Sequence, residues 1–317
     1  MTDTDSGLHV LALNSGSSSL KYGLYRVETA GIDTLLSGEV ETHSTPIPLE
    51  ALIRIKTILG ESEMPQPAAI GHRIVHGGPA LRQHCLIDHS VLAKLELAIA
   101  FAPLHTPSTL SVIRFAQENF RGIPHTACFD TTFHAGLPDV ARVLPIPKAL
   151  QSEGIQRYGF HGLSIESIVH QLGSDLPRRV IVAHLGNGAS VTAVESGRSI
   201  DTIMGLTPTG GVVMGTRSGD LDPGVLVYLM REKCRAFRLG AELRHWPYAS
   251  LGYQSVPRPC GVIFSTVHSG IGSGAPRGSC PGSAVSKPIS SPQVQPHAQC
   301  CLRKSISSAS SARRASR

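Results

Sequence analysis

Residues Arg178 to Asp222 read RRVIVAHLGNGASVTAVESGRSIDTIMGLTPTGGVVMGTRSGDLD, and the fold class turns on this stretch. The apolar run Val180 to Ala183 leads through His184 and Leu185 into Gly186-Asn187-Gly188, the pattern of a strand entering a turn whose amides stay available to an anion. β-rich runs follow at Ala189 to Val194 and Ser199 to Met204. The turn is therefore expected inside a hairpin-rich sheet and not ahead of a helix, which argues against a Walker or Rossmann loop. Alone, a GNG turn between strands is more often an ordinary hairpin than a phosphate site, so its context has to decide.

Outward from that stretch, the same grammar recurs at the start of the chain. Leu8 to Leu13 is a strand-like run, Asn14-Ser15-Gly16-Ser17-Ser18-Ser19-Leu20-Lys21 a polar turn, and Tyr22 to Val27 a second strand. The turn gathers an amide, four hydroxyls and an amine able to contact phosphate oxygens and a hydrated magnesium ion, although a plain serine-rich hairpin reads the same. Leu35 to Val40 is a further strand, and Leu49 to Leu59 has helical spacing closed by Gly60. Ala69 to Val75 is a strand carrying Arg73, followed by His76-Gly77-Gly78. Helices are expected over Ser90 to Phe101 and Ser108 to Phe120, with a loop fixed by Pro103 and Pro107 between them. His125 to Phe129 is a short strand ending in Asp130, a carboxylate placed either for chemistry or to cap the next turn. Arg157-Tyr158-Gly159-Phe160-His161-Gly162 lets backbone approach something closely and precedes a helix from Leu163 to Leu172. Met214 to Asp220 is a glycine-rich loop around Arg217, and Pro223 opens a helix to about Met230.

With 317 residues, 41% of them hydrophobic, the chain can bury a sizeable core and hold two domains. No apolar run approaches the roughly 18 residues that cross a bilayer, and MTDTDSG is acidic where a signal peptide is basic. The default expectation is a cytoplasmic protein with no membrane or nucleic-acid partner. The net charge of +6 is unevenly spread: from Leu243 onward there are nine Lys and Arg and no acid, leaving 20 Lys and Arg against 23 acids before it. Cys234, Cys260, Cys280, Cys300 and Cys301 crowd the same end, and the seven cysteines have no ligand-like spacing. From residue 233 to 317 the chain is rich in Ser, Pro, Arg and Cys without sustained periodicity. A disordered tail is expected there, and the abrupt loss of acids also fits a segment read out of frame.

VLALNSGSSSLKY, GHRIVHGG, APLHTP, CFDTTFH, RYGFHG, VAHLGNGAS and MGLTPTGGVVMGTRSGDLDPG resemble, in this order, the signature segments of acetate kinases. The resemblance runs from residue 10 to about 232. It implies an α/β fold of two ribonuclease-H-like (actin-like ATPase) domains, with mixed sheets flanked by helices. On this reading 1–150 is a complete N-terminal domain, 151–232 the start of a second with its phosphate loop, and 233–317 a non-matching tail. The GGIGEN segment and the metal-holding glutamate of the family have no counterpart, and Ser269-Gly270-Ile271-Gly272 is a weak echo. Thr106 stands where the family has Asn, and Leu163 and Ile165 replace polar residues.

The resemblance also implies the reaction and its residues. The γ-phosphoryl of ATP passes reversibly to acetate, giving acetyl phosphate and ADP, with Mg2+ or Mn2+ as cofactor. Arg73 and Arg217 would hold the acetate carboxylate, Arg217 also the phosphoryl oxygens, and His161 the phosphoryl in flight. Asp130 would orient or activate the substrate carboxyl group and position Arg217. Val75, Leu104, Phe160 and Pro208 match the methyl pocket; Ser17, Ser19 and Lys21 the first phosphate loop; His184, Leu185, Gly186, Asn187 and Gly188 the second; and Asn14 lies near the metal. A homodimer is implied, although the family pairs largely through a C-terminal part that has no counterpart in this sequence. The chain as written is expected to turn over poorly. The alternative is a non-catalytic remnant or a basic-tailed binding module.

Overall fold

The computed structural model describes residues 7–16, 19–28, 31–41, 47, 49–61, 64–232 and 262–266. Ser17 and the rest of the 233–317 segment lie outside the described residues. The strands are β1 (Leu8–Ser15), β2 (Ser19–Val27), β3 (Ile32–Glu41), β4 (Ala69–Ile74), β5 (Cys85–Leu86), β6 (His125–Phe129), β7 (Arg179–Leu185), β8 (Ala189–Glu195), β9 (Arg198–Thr202) and β10 (Val262–Thr266). The helices are α1 (Leu49–Glu61), α2 (His89–Leu97), α3 (Thr106–Asn119), α4 (Asp139–Arg142), α5 (Lys148–Ser152), α6 (Gly162–Leu172) and α7 (Pro223–Glu232). None is long and apolar enough to cross a membrane.

The chain folds as two compact units. In the first, built from the residues before Gly136 together with His161–Gln171, the strand order is β3-β2-β1-β4-β6-β5. β1, β2 and β3 form an antiparallel meander. β4 lies parallel to β1 and β6 parallel to β4. Strand alternation sorts the side chains: Leu11 and Leu13 join Leu52 and Ile55 of α1 and Val112 and Ala116 of α3 in one core, while Val10 and Ala12 pack with Tyr25 and Ala69 in another. A further cluster joins Ile74, Val91, Leu95, Ile113 and Phe129, seating α2 and α3 against β4 and β6. Asp88 caps α2 by accepting from Val91 N at 2.8 Å. Cys128 and Leu163, both fully buried, pack together, which accounts for an apolar residue at 163.

The second unit takes Gly136–Phe160 and the described residues from Leu172. Its strand order is β10-β7-β8-β9, with β7, β8 and β9 antiparallel and β10 parallel to β7. Arg157 fastens the Arg157–Phe160 segment here by donating to the carbonyls of Ala141 (2.8 Å), Thr202 (2.8 Å) and Ile203 (3.2 Å). This division differs from a single break at 150: the second unit begins at Gly136, and His161–Gln171 returns to the first.

Three expectations need correction. The unstructured tail is interrupted by β10, whose Val-Ile-Phe run has strand composition and takes the edge of β7. Pro107 does not lie outside a helix: it occupies the first turn of α3, where its missing N–H has no intrahelical partner to lose. The helix expected through Phe101 ends at Leu97 and tightens into a 3-10 turn over Ala98–Phe101.

Candidate functional site

β1, β4 and β6 run parallel, and their C-terminal ends bring together three polar residues far apart in sequence. Asn14 pairs in register with Arg73, and Arg73 with Cys128, so Asp130 emerges just beyond the end of β6. Arg73 Nε donates to Asp130 Oδ1 at 3.1 Å and to Oδ2 at 3.2 Å, Arg73 Nη2 donates to Oδ2 at 2.5 Å, and Arg73 Nη1 donates to Asn14 Oδ1 at 2.9 Å. Asp130 is 2% exposed and Arg73 21% at the side chain, so the pair is screened on one side and open on the other. The planar guanidinium makes this fork possible, and lysine could not reproduce it. Strand ends of this kind are where open α/β sheets collect ligands. Asp130 is thus committed to Arg73 within this unit.

His161 enters the same unit in the left-handed region, with φ of 60°. Its carbonyl accepts from Ser164 N (3.0 Å) and Ile165 N (3.1 Å), so it starts α6. Gly162 N donates to the Asp130 carbonyl at 2.7 Å, and a Cβ on Gly162 would lie 2.3 Å from that oxygen. Only glycine allows the approach, which ties the Asp130 loop to the start of α6.

The first turn is closed by Gly16 N donating to Ser19 O at 2.8 Å, and Ser19 is buried. Ser15 Oγ and Thr109 Oγ1 lie 2.7 Å apart, so α3 holds this turn from behind. Thr109 was missed in the sequence, where only its position one helical turn after His105 set it apart. Lys21 makes a surface pair with Glu39 at 3.6 Å. Val75 is buried and Leu104 is 43% exposed.

The remaining candidates belong to the second unit. The Gly186-Asn187-Gly188 turn joins β7 to β8 as a hairpin, with His184 opposite Ser190 and Leu185 opposite Ala189. Gly186 N donates to Gly188 O at 3.0 Å, so the expectation that the turn's amides stay available is corrected at Gly186. Arg217 Nη1 donates to Pro208 O at 2.8 Å, and Arg217 O accepts from Met214 N at 3.0 Å. Asp220 and Gly211 close the surrounding loop, Asp220 N to Gly211 O at 2.9 Å and Gly211 N to Asp220 Oδ1 at 2.8 Å. Phe160 is 1% exposed, a core residue of this unit.

Beside the site, on the opposite face of β4 from Arg73, His72 Nε2 lies 2.9 Å from His125 Nδ1. Burial pushes His72 well below its ordinary 6.5, with repulsion from His125 adding to it. Burial also lowers His125, partly offset by the Phe120 carbonyl, although His125 Nε2 has no hydrogen-bonding contact within standard geometry.

Among the described residues, no group of three His, Cys, Asp or Glu could hold a metal ion. The donors at the site are the Asn14 amide oxygen and the Asp130 carboxylate, hard oxygens both engaged by Arg73. That set of hard oxygens fits a divalent cation carried mainly by phosphate oxygens and water, and not a protein cage.

Comparison with known proteins places these features in a family. A family model described as the Acetokinase family matches residues 50–238. The acetate kinase of Nitrobacter hamburgensis is 40% identical over 253 residues, which cover 71% of this chain and 63% of that protein. Among solved structures, a propionate kinase from Francisella tularensis superposes with a TM-score of 0.66 at 34% identity, over 76% of this chain and 68% of that one. The acetate kinase of Porphyromonas gingivalis gives 0.62 at 32% identity, with the same coverage. The chain spans 63% of the length of the first of these relatives.

Proposed function

The chain belongs to the acetokinase family, and on that premise we propose that it transfers the γ-phosphoryl of ATP to acetate, giving acetyl phosphate and ADP, and the reverse. The observation that carries this reading is the Asn14–Arg73–Asp130 arrangement at the ends of three parallel strands. A carboxylate acceptor must approach a polyanion, and a guanidinium already fixed in orientation offers it a cationic seat without further ordering. Acetate is ionised at neutral pH, so no base is needed, and Asp130 serves to hold Arg73. An acetate oxygen forms the new bond to γ-phosphorus as the bond to the β-phosphate oxygen breaks; no proton moves.

Arg217 and His161 are the groups proposed to neutralise charge on the equatorial oxygens, each worth about 10²-fold in rate or more. Ser17, Ser19 and Lys21 in one turn, and His184 to Gly188 in the other, are the proposed phosphate contacts. When bound, Mg2+ or Mn2+ would neutralise phosphate charge, and Asn14 is the residue proposed to help hold it. Val75, Leu104, Phe160 and Pro208 are the proposed methyl contacts, and since one methylene changes discrimination by only about 1 to 3 kcal/mol, propionate is a competing acceptor. Pairing of two copies and residence in the cytoplasm are carried as parts of this proposal.

The test is an assay of the 317-residue chain with ATP, magnesium and acetate, acetyl phosphate being trapped with hydroxylamine. Product that requires acetate and ATP together, and that falls about 10²-fold in Arg217→Lys, supports the reading. Turnover is expected to be slow beside that of a full-length relative. Absence of any acetate-dependent product would leave the non-catalytic reading.

A further inference from the structure

Behind the carboxylate site lies a side chain that none of the resemblance segments contains. β5 pairs with β6 through Cys85 opposite Ala127 and Leu86 opposite Thr126. Two residues beyond Ala127 the N–H of Phe129, a fully buried residue, is met by a side chain: His84 Nδ1 accepts it at 3.1 Å. On the other edge of β6, Asp130 N donates to Ile74 O at 2.9 Å, so the two amides that set Asp130's direction are bound from opposite sides. A ring nitrogen that accepts carries no proton, which puts the imidazole proton on Nε2. Nε2 faces Glu166 Oε2 on α6 at 3.5 Å, and the His84 side chain is 7% exposed.

We infer that His84 is a positioning residue for the carboxylate site. Glu166 selects the tautomer with hydrogen on Nε2, that tautomer makes Nδ1 an acceptor, and the acceptor fixes the strand end that delivers Asp130 to Arg73. The same ring joins β6 to α6, the helix that follows His161, and Gly162 N donating to Asp130 O closes the loop from the other end. The consequence for acetate rests on the reading of Arg73 and Asp130 as its binding site; the tautomer and the strand-end bond do not.

The test uses the 317-residue chain labelled with 15N. Long-range 1H–15N spectra are expected to show His84 with hydrogen on Nε2, and the Phe129 amide to exchange slowly. Glu166→Gln, which keeps an acceptor oxygen, retains that tautomer, whereas Glu166→Leu gives a mixture of tautomers and faster Phe129 exchange. In His84→Leu, acetate binding weakens about tenfold, the effect of leaving one buried donor unmatched, and His84→Asn, whose Oδ1 replaces Nδ1, recovers most of it. A purely space-filling histidine would be replaced as well by Leu as by Asn, and that result overturns the inference. If the unsubstituted chain takes up no acetate, the functional reading fails, and the inference is judged on the spectra alone. Hydrogen on Nε2 with a protected Phe129 amide upholds it; hydrogen on Nδ1, or an unprotected amide, overturns it.

Discussion

The two sheets share one strand plan and differ in what stands at the strand ends. In each, a three-stranded antiparallel meander is joined by a strand parallel to its first member: β3-β2-β1-β4 in one unit, β9-β8-β7-β10 in the other. The first sheet continues into β6, so that three parallel strands end together and a guanidinium–carboxylate pair is locked there. The second presents His184 to Gly188 at a hairpin turn and Arg217 on a loop closed by hydrogen bonds to backbone groups. Anchoring therefore differs: charge pairing organises the first set of residues, backbone turns the second. Stability and turnover should separate accordingly.

The largest effects expected are of opposite kinds in the two units. Asp130→Ala leaves Arg73 without its carboxylate and should lower the unfolding free energy by about 3 kcal/mol, the low end for a broken buried pair because Arg73 is partly exposed. Arg217→Lys should change stability by no more than about 1 kcal/mol while turnover drops about 10²-fold. Urea unfolding read beside acetyl phosphate formation checks the split, and equal stability losses in the two variants would erase the distinction.

A second contrast is steric. Gly219 has φ of 71°, and a Cβ there would sit 2.5 Å from Gly211 O, so Gly219→Ala should disturb the Arg217 loop at a cost of about 1 to 3 kcal/mol. Gly173, with φ of 49° and no atom within 4 Å of a Cβ, should lose about 1 kcal/mol from backbone strain alone. Thermal midpoints that fall by the same amount would show that crowding in the Arg217 loop is absent.

The His72–His125 pair makes the first sheet acid-sensitive. Both residues titrate below 6.5 when folded, so below that pH the unfolded chain binds more protons and stability falls. Their contribution is fully present above about 6.5 and shrinks as pH drops, by up to about 1.4 kcal/mol per pH unit for each ring. Chemical unfolding from pH 7 to 5 checks this, with a flat profile as the contrary result. The smallest effect expected is at helix caps: Asp88→Ala should cost about 1 kcal/mol, since α2 packs Val91 and Leu95 in the core. Changing Asp222, which accepts from Gly224 N at 2.8 Å ahead of α7, to Ala should cost less, because α7 buries none of its residues.

Much of this plan was legible because burial leaves apolar runs between polar turns. Leu8 to Leu13 and Tyr22 to Val27 are such runs, and His125 to Phe129, buried throughout, was found with its limits. What was lost is short. β5 has two residues, and α4 and α5 have four and five, each beginning just after a proline, too few for a period to emerge. At the site, Arg73 and Asp130 are 57 residues apart, so only resemblance to a family linked them, and no spacing rule does. His84 had no signal at all, because its role depends on where β5 stops along β6.

On the proposed function, the first unit holds a preformed carboxylate seat around Arg73. The most direct measurement is a titration of the 317-residue chain with 13C-labelled acetate in the absence of nucleotide, followed by NMR. Saturable binding is expected, weakened at least about tenfold in Arg73→Lys, which keeps the charge and loses the fork. Acetate affinity that is unchanged in Arg73→Lys would contradict the claim.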